Sequence, residues 1–258
     1  MEALITQLPQ LLLAVWWPFC RFMAALSMSP LVGDVMVPLR VRLMLALTLA
    51  VVVLPAMPAA GIDPFSLAGI ASALQQVIIG SVFGLVFQLS IALPLLLGNL
   101  VSSQMGLSMA VMNDPVNGSS SDVVSSLLFV LCALVFFAID GHLVLVNVVY
   151  ASFRVWPVGH GLDITVLKLL AYQVGWVFSA ALLLALPVIF STLVVQLGLG
   201  FLNRVAPTLN LFSLGFSVVT LFGLFMLALL VRTLPEHYLQ FTQHMLELLD
   251  RSLEATHG

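Results

Sequence analysis

The chain has 258 residues, of which 62% are hydrophobic and only 7% are charged, and its formal net charge is −3. Typical soluble domains carry about 25% charged residues, so this composition excludes an ordinary soluble globular protein. The few charges are spread along the chain, which leaves no basic patch for a nucleic acid partner.

Long stretches of the chain contain no Lys, Arg, Asp or Glu, and one of them runs from Pro64 to Asn113. A transmembrane helix needs about 20 predominantly apolar residues, and a charged side chain at its centre costs about 2.5–3.5 kcal/mol or more. In lipid, backbone polar groups must be satisfied within the segment, which favours helices. The alternating ten-residue segments of a membrane β-barrel are not found. The sequence therefore predicts an all-α, polytopic integral membrane protein.

Six apolar helical segments are predicted, separated by loops rich in Pro, Gly, Asn and Asp. A helix over 65–112 would be about 70 Å long, whereas the hydrocarbon core of a bilayer is about 30 Å thick. We expect Pro94, Asp140-Gly141 and Pro187 to interrupt the long segments and give kinked helices or helical hairpins. The C-terminal tail is amphipathic. The segments are 4–28, 38–58, 65–112, 122–153, 163–200 and 205–250.

Two stretches carry small residues four positions apart, a spacing that lets helices pack closely in membranes. These helix-packing candidates are Gly80 with Gly84, and Gly175 with Ser179. Amide side chains such as Gln75 and Gln76 also occur in the uncharged stretch. They fit hydrogen bonds between helices, and they also fit the lining of an aqueous conduit.

Three methionines precede a loop rich in Gly and Ser, and on a helix their spacing places them on one face. Methionine is flexible and fills irregular gaps, so the stripe fits a protein core. The same softness would suit a deformable seal around a channel. The candidates for such a constriction or plug are Met105, Met109, Met112, Asn113, Asp114, Pro115 and Gly118.

Asp140 and His142 flank Gly141 inside an apolar stretch. Ionisable residues within membrane segments suggest a functional site such as a proton relay. Asp-Gly is also a common turn sequence, and we favour a helix-hairpin tip at these three residues.

Several chemical functions have no support in the sequence. The two cysteines are far apart, and the five histidines show no metal-ligand spacing. We find no nucleophile elbow, phosphate loop, HExxH motif or paired carboxylates. We therefore expect neither an enzyme nor a bound cofactor or metal.

Four stretches, in their order and spacing, resemble the FliR family of the flagellar type III export apparatus, which is related to the SctT proteins of virulence secretion. The likeness covers nearly the whole chain, and its motifs look closer to the flagellar branch. Gln76 stands where many members have Glu, and Ser217 where many have Pro. The stretches are 37–42 (VPLRVR), 75–84 (QQVIIGSVFG), 104–115 (QMGLSMAVMNDP) and 198–216 with its loop motif Asn203, Arg204 and Pro207.

The resemblance implies a structural and pore-forming component of an export gate that passes unfolded flagellar subunits across the bacterial inner membrane at the flagellar basal body. It implies FliP-like and FliQ-like membrane partners, a FlhB-like protein on the cytoplasmic side, and a complex raised largely above the membrane plane. It further implies a FliP-like helical part over 1–165 and a FliQ-like helix pair with the amphipathic tail over 166–258.

A secondary transporter is the alternative function, with Pro-broken helices and a proton site at Asp140 and His142. Such a transporter should repeat its broken-helix motif in two halves. The flanks of Pro94 (SIALPLLLGN) and Pro187 (LLALPVIFST) are only loosely alike.

Overall fold

The computed structural model shows an all-α architecture, and the predicted fold class of a polytopic membrane protein is confirmed. It describes residues 2–35, 37–57, 62–107, 112–113, 120–159, 164–205 and 211–255. The α-helices in this part of the chain are α1 (Glu2–Met28), α2 (Leu39–Val53), α3 (Leu67–Gln104), α4 (Val123–Ala138), α5 (Gly141–Val155), α6 (Ile164–Val205) and α7 (Leu211–Ala255).

Three of the helices are individually long and apolar enough to cross a membrane, judged on the described residues. α3, with 38 residues, is about 57 Å long, and α6 and α7, with 42 and 45 residues, are about 63 and 68 Å long. All exceed the roughly 30 Å of the hydrocarbon core. The pair α4 and α5 provides a fourth candidate span if it is counted as one broken helix.

One of the three predicted interruptions separates two helices, whereas a single helix continues through each of the other two. α4 and α5 are separated at Asp140, where the chain bends by 63°. This angle is a kink and not the reversal of a hairpin. By contrast, α3 continues through Pro94 and α6 through Pro187. A proline removes one backbone hydrogen bond, and membrane helices tolerate this loss when neighbouring groups satisfy the freed carbonyl.

The helix predicted over 65–112 ends earlier, at Gln104. Gly106 has φ +74°, the left-handed conformation that commonly terminates a helix, and its N–H donates to the carbonyl of Ser103 at 3.2 Å. Beyond it, β1 (Met112–Asn113) pairs antiparallel with β2 (Ser120–Ser121). Met105 follows the end of α3 and Met112 lies in β1, so these two do not share a helical face as predicted, and Met109 lies outside the described residues.

The chain forms two compact units, each built from separate stretches of sequence. The first comprises Met1–Leu89, Phe136–Tyr172 and Gln243–Gly258, and the second comprises Ser90–Val135 and Gln173–Thr242. The predicted division near residue 165 concerns resemblance to two partner families and not contacts in space, so it stays a prediction. The buried core of the first unit includes Phe22, Phe83, Val149 and Phe153, and that of the second includes Leu97, Met105, Leu128 and Ala185.

Two glycines allow α3 to lie directly on α1 within the first unit. A Cβ added at Gly80 would overlap the carbonyl oxygen of Arg21, and one at Gly84 would overlap that of Ala25. No larger residue fits without moving one helix. Ala24 and Ala25 of α1, which lie at this contact, are buried.

Candidate functional site

A cleft of about 650 Å³ lies in the second unit at the end of α3. The end of α3, the C-terminal part of α6 and the start of α7 form its walls, so two of the four stretches, 104–115 and 198–216, meet here. Glycines, amides and apolar groups share its surface, and no lining side chain among the described residues is ionisable. The lining residues are Ser103, Gln104, Met105, Gly106, Gln196, Leu199, Gly200, Asn203, Gly215, Phe216 and Val219.

Side chains from two other helices meet the carbonyl groups at the end of α3. The last carbonyls of any helix lack partners within the helix itself. The amide of Gln196 on α6 donates to the Gln104 carbonyl at 3.3 Å, and the hydroxyl of Thr220 on α7 donates to the Met105 carbonyl at 3.1 Å. These bonds attach the end of α3 to α6 and α7.

Met105 is fully buried against α7. A Cβ added at Gly223 would overlap Cγ of Met105, and one added at Gly106 would lie 2.8 Å from Cε2 of Phe216. We call the cluster of Met105, Gly106, Phe216, Thr220 and Gly223 the Met105 joint. On α7 the three partners are spaced i, i+4 and i+7, so they lie on one face of that helix.

Asp122 caps the start of α4 in the same unit. One of its carboxylate oxygens accepts from the backbone N–H of Ser125 at 2.7 Å, and the other accepts from the Ser125 hydroxyl at 2.6 Å. Side-chain acceptors of this kind satisfy the free N–H groups of a first helical turn. A Cβ at Gly98 of α3 would overlap Cα of Ser125, so α3 and α4 are in tight contact here.

A buried arginine joins three helices of the first unit. Arg21 on α1 is 0% exposed and donates to the side-chain oxygen of Gln76 at 2.8 Å, the hydroxyl of Ser152 at 2.9 Å and the carbonyl of Trp156 at 2.8 Å. Its guanidinium also lies 3.9 Å from the ring centroid of Phe153. These acceptors are all neutral, so hydrogen bonds and a cation–π contact stabilise the charge. We call these five residues the Arg21 node.

The Arg21 node is incompletely satisfied within the described part of the chain. The buried side-chain N–H groups of Gln76 and Trp156 have no hydrogen-bond partner there. A carboxylate at position 76 would leave no unpaired amide nitrogen.

Asp140 occupies the bend between α4 and α5 with φ 56°, a left-handed conformation that Asp and Asn adopt more readily than most residues. Its side chain and that of His142 are exposed. Gly141 is buried, and a Cβ there would overlap the ring of Phe136. The positive φ thus falls on Asp140, while Gly141 provides space for a ring.

The predicted site residues are only partly brought together. Met105 and Asn203 line the cleft, and Arg204 follows Asn203 as an exposed residue. Gly175 has no atom of the described residues near a Cβ added to it, and the Ser179 hydroxyl donates to the Gly175 carbonyl at 3.0 Å within α6. Met112 and Asn113 form β1. Met109, Asp114, Pro115, Gly118 and Pro207 lie outside the described residues.

Sequence reasoning missed Arg21 and Thr220. The signal for Arg21 was a lone cation within an apolar helix, which membrane segments seldom carry without a partner or a role. Thr220 gave no such signal, because threonine is common in membrane helices and usually bonds its own backbone.

A model of the family described as bacterial export proteins, family 1, matches residues 12–245. The flagellar biosynthetic protein FliR of Pectobacterium carotovorum subsp. carotovorum is 36% identical over 231 residues, covering 89% of this chain and 87% of the relative. FliR of Escherichia coli (strain K12) is 33% identical over 217 residues, covering 84% and 83%. The surface presentation of antigens protein SpaR of Shigella sonnei is 24% identical over 164 residues, covering 62% and 64%.

Proposed function

We propose, from the premise that this chain belongs to the bacterial export proteins, family 1, that it is a structural component of the flagellar type III export apparatus. The family match and the FliR relatives confirm the resemblance to the FliR family that the sequence predicted. The observation that carries the proposal is the similarity to flagellar FliR proteins over more than four fifths of both chains. The proposed role is structural and not enzymatic. The chain contributes packed helices and part of the export path.

The proposed location is the bacterial inner membrane at the flagellar basal body. Within the candidate spans of α6 and α7, only 28% and 22% of the most apolar window is buried inside the chain. Such apolar surfaces need lipid or other membrane helices as neighbours. The proposed neighbours are FliP-like and FliQ-like proteins, with a FlhB-like protein on the cytoplasmic side.

We further propose that the chain contributes to the pore through which unfolded flagellar subunits pass. The region from Met105 to Asp122 would restrict this path at rest. Two described features support this role: Met105 is a soft side chain held at a defined place, and the described residues that line the adjoining cleft include no ionisable group. A neutral wall neither retains nor repels charged segments of a passing polypeptide strongly.

The test is carried out in the bacterium that carries this chain. Removing the chain is expected to abolish export of filament and hook proteins into the medium, and returning it should restore export. Normal export without the chain would refute the proposal.

Deleting 117–121 tests the pore role separately. In an assembled complex this deletion is expected to raise ion leakage across the inner membrane. Unchanged leakage would show that this region does not restrict the pore and that Met105 only fills the protein core.

A further inference from the structure

We propose that Thr220 is a positioning residue, which holds Met105 and Gly106 against α7 and so fixes where the chain leaves α3. The effect of Thr220 on ion leakage rests on the proposed function, whereas its positioning of Met105 and Gly106 does not.

The hydroxyl of Thr220 behaves differently from other threonines in long helices of this chain. Those of Thr192, Thr233 and Thr242 donate to carbonyls three or four residues earlier in their own helix. This local bond is the usual arrangement for a helical threonine. Thr220 instead donates to the Met105 carbonyl, 115 residues away in sequence. The hydroxyl thus links α7 to the residue that follows α3, two parts of the chain that are distant in sequence.

The surroundings of Thr220 leave Met105 little freedom. Gly223, one turn further along α7, lacks the side chain that would overlap Met105, and Phe216, one turn earlier, lies against Gly106. Gly106 has φ +74°, so the backbone turns at this contact. At the Met105 joint, one face of α7 leaves space for the Met105 side chain at Gly223, donates a hydrogen bond from Thr220 and contacts the turn at Gly106.

A purely structural role would make Thr220 one packing residue among many. A positioning role predicts something narrower, namely that losing the hydroxyl exposes position 105 while the chain and its complex remain assembled. Thr220→Val removes the donor and nearly keeps the shape, and Thr220→Ser keeps the donor. Thr233→Val is the matched control, since it makes the same chemical change on the same helix at a hydroxyl that bonds its own backbone.

The reporter is a single cysteine at position 105, introduced as Met105→Cys after replacement of the buried Cys20 and Cys132 by Ala. Its rate of labelling by a maleimide is measured in the assembled complex in membranes. Thr220→Val is expected to raise this rate about five-fold, the factor by which the loss of one hydrogen bond changes an equilibrium constant. Thr220→Ser and Thr233→Val should leave the rate within two-fold of the parent.

An unchanged labelling rate in an assembled Thr220→Val complex would overturn the proposal. If that variant fails to assemble, Thr220→Ala takes its place, because it also removes the donor and adds no volume. It should also speed labelling at position 105, and an unchanged rate would again overturn the proposal.

Leakage is measured on the same Thr220→Val variant, with the native Met105 retained. Faster labelling together with raised ion leakage supports both the positioning role and the pore. Faster labelling without leakage keeps the positioning role and refutes the pore part of the proposed function, so the two can fail separately.

Discussion

Arg21 holds three helices together through a side chain that water does not reach. Its donors meet Gln76 on α3, Ser152 on α5 and the Trp156 carbonyl just after α5. Hydrogen bonds that involve a charged group contribute about 1.5–3 kcal/mol each. Removing the guanidinium leaves buried acceptors unpaired as well, and this loss costs more than the bonds alone.

We expect Arg21→Met to destabilise the chain by more than about 2 kcal/mol, even though methionine fills much of the same volume. The measurement is thermal unfolding of the purified complex in detergent, together with the steady-state level of the chain in membranes. Arg40→Met is the matched control, because Arg40 is exposed. Equal stabilities of the two variants would show that the Arg21 node is dispensable.

Asp140 is expected to be dispensable as a charged group. Asp140→Asn keeps a residue that accepts φ 56° and should preserve assembly and motility. Asp140→Val should cost about 1–2 kcal/mol, since a β-branched residue is strained in this conformation. Gly141→Val should fail for a different reason, overlap with the Phe136 ring. The readout is swimming in soft agar beside co-purification of the complex.

If Asp140→Asn abolishes export while the complex still assembles, Asp140 titrates during transport and the transporter hypothesis returns.

These residues also show which features could be predicted from the sequence. The turn at Asp140-Gly141 could be predicted because its signal is local. The Arg21 node could not, because its three partners lie 55, 131 and 135 positions away.

At the scale of helices, the two pairs of small residues have different surroundings. Gly80 and Gly84 of α3 lie against the backbone of α1, whereas Gly175 of α6 has open space among the described residues. We therefore expect Gly84→Leu to displace α1 and lower the free energy of unfolding, measured on the purified complex in detergent. Overlap with a backbone carbonyl cannot be relieved by a rotamer change, so the loss should exceed about 2 kcal/mol.

Gly175→Leu is the matched control and should leave thermal unfolding of the purified complex unchanged. Equal loss of stability in both variants would contradict the assigned packing. Reduced co-purification of partners with Gly175→Leu alone would place a partner helix on this face of α6.

The helix ends explain which elements the sequence could predict. Long apolar stretches indicated the helices themselves, and the glycine at 106 carried a stop signal that the methionine spacing overrode. Pro94 and Pro187 suggested breaks, yet α3 and α6 continue through both. A proline reports only the loss of one donor, and whether a helix survives depends on neighbours distant in sequence.

At the scale of the whole molecule, apolar surface dominates α6 and α7. Side chains such as Phe178, Leu183 and Phe201 on α6, and Leu221 and Phe225 on α7, are more than half exposed. Contiguous apolar surface of this kind marks sites where lipid or other proteins bind. The amides of Gln75, Gln76 and Gln173 also include buried atoms without partners in the described residues. The chain thus has exposed apolar side chains and buried amide atoms that its own described residues neither cover nor bond.

We therefore expect the chain to be unstable or poorly soluble when it is produced alone, and stable when it is produced with the proposed FliP-like and FliQ-like partners. The physical reason is the area of α6 and α7 that detergent must otherwise cover, since association in membranes depends on close helix packing. The measurement is size-exclusion chromatography in mild detergent, with and without the partners, at equal expression. Thr233→Val serves as a control that should not alter assembly. A monodisperse, cooperatively unfolding monomer in the absence of partners would contradict this expectation, because it would show that lipid or detergent alone satisfies those faces.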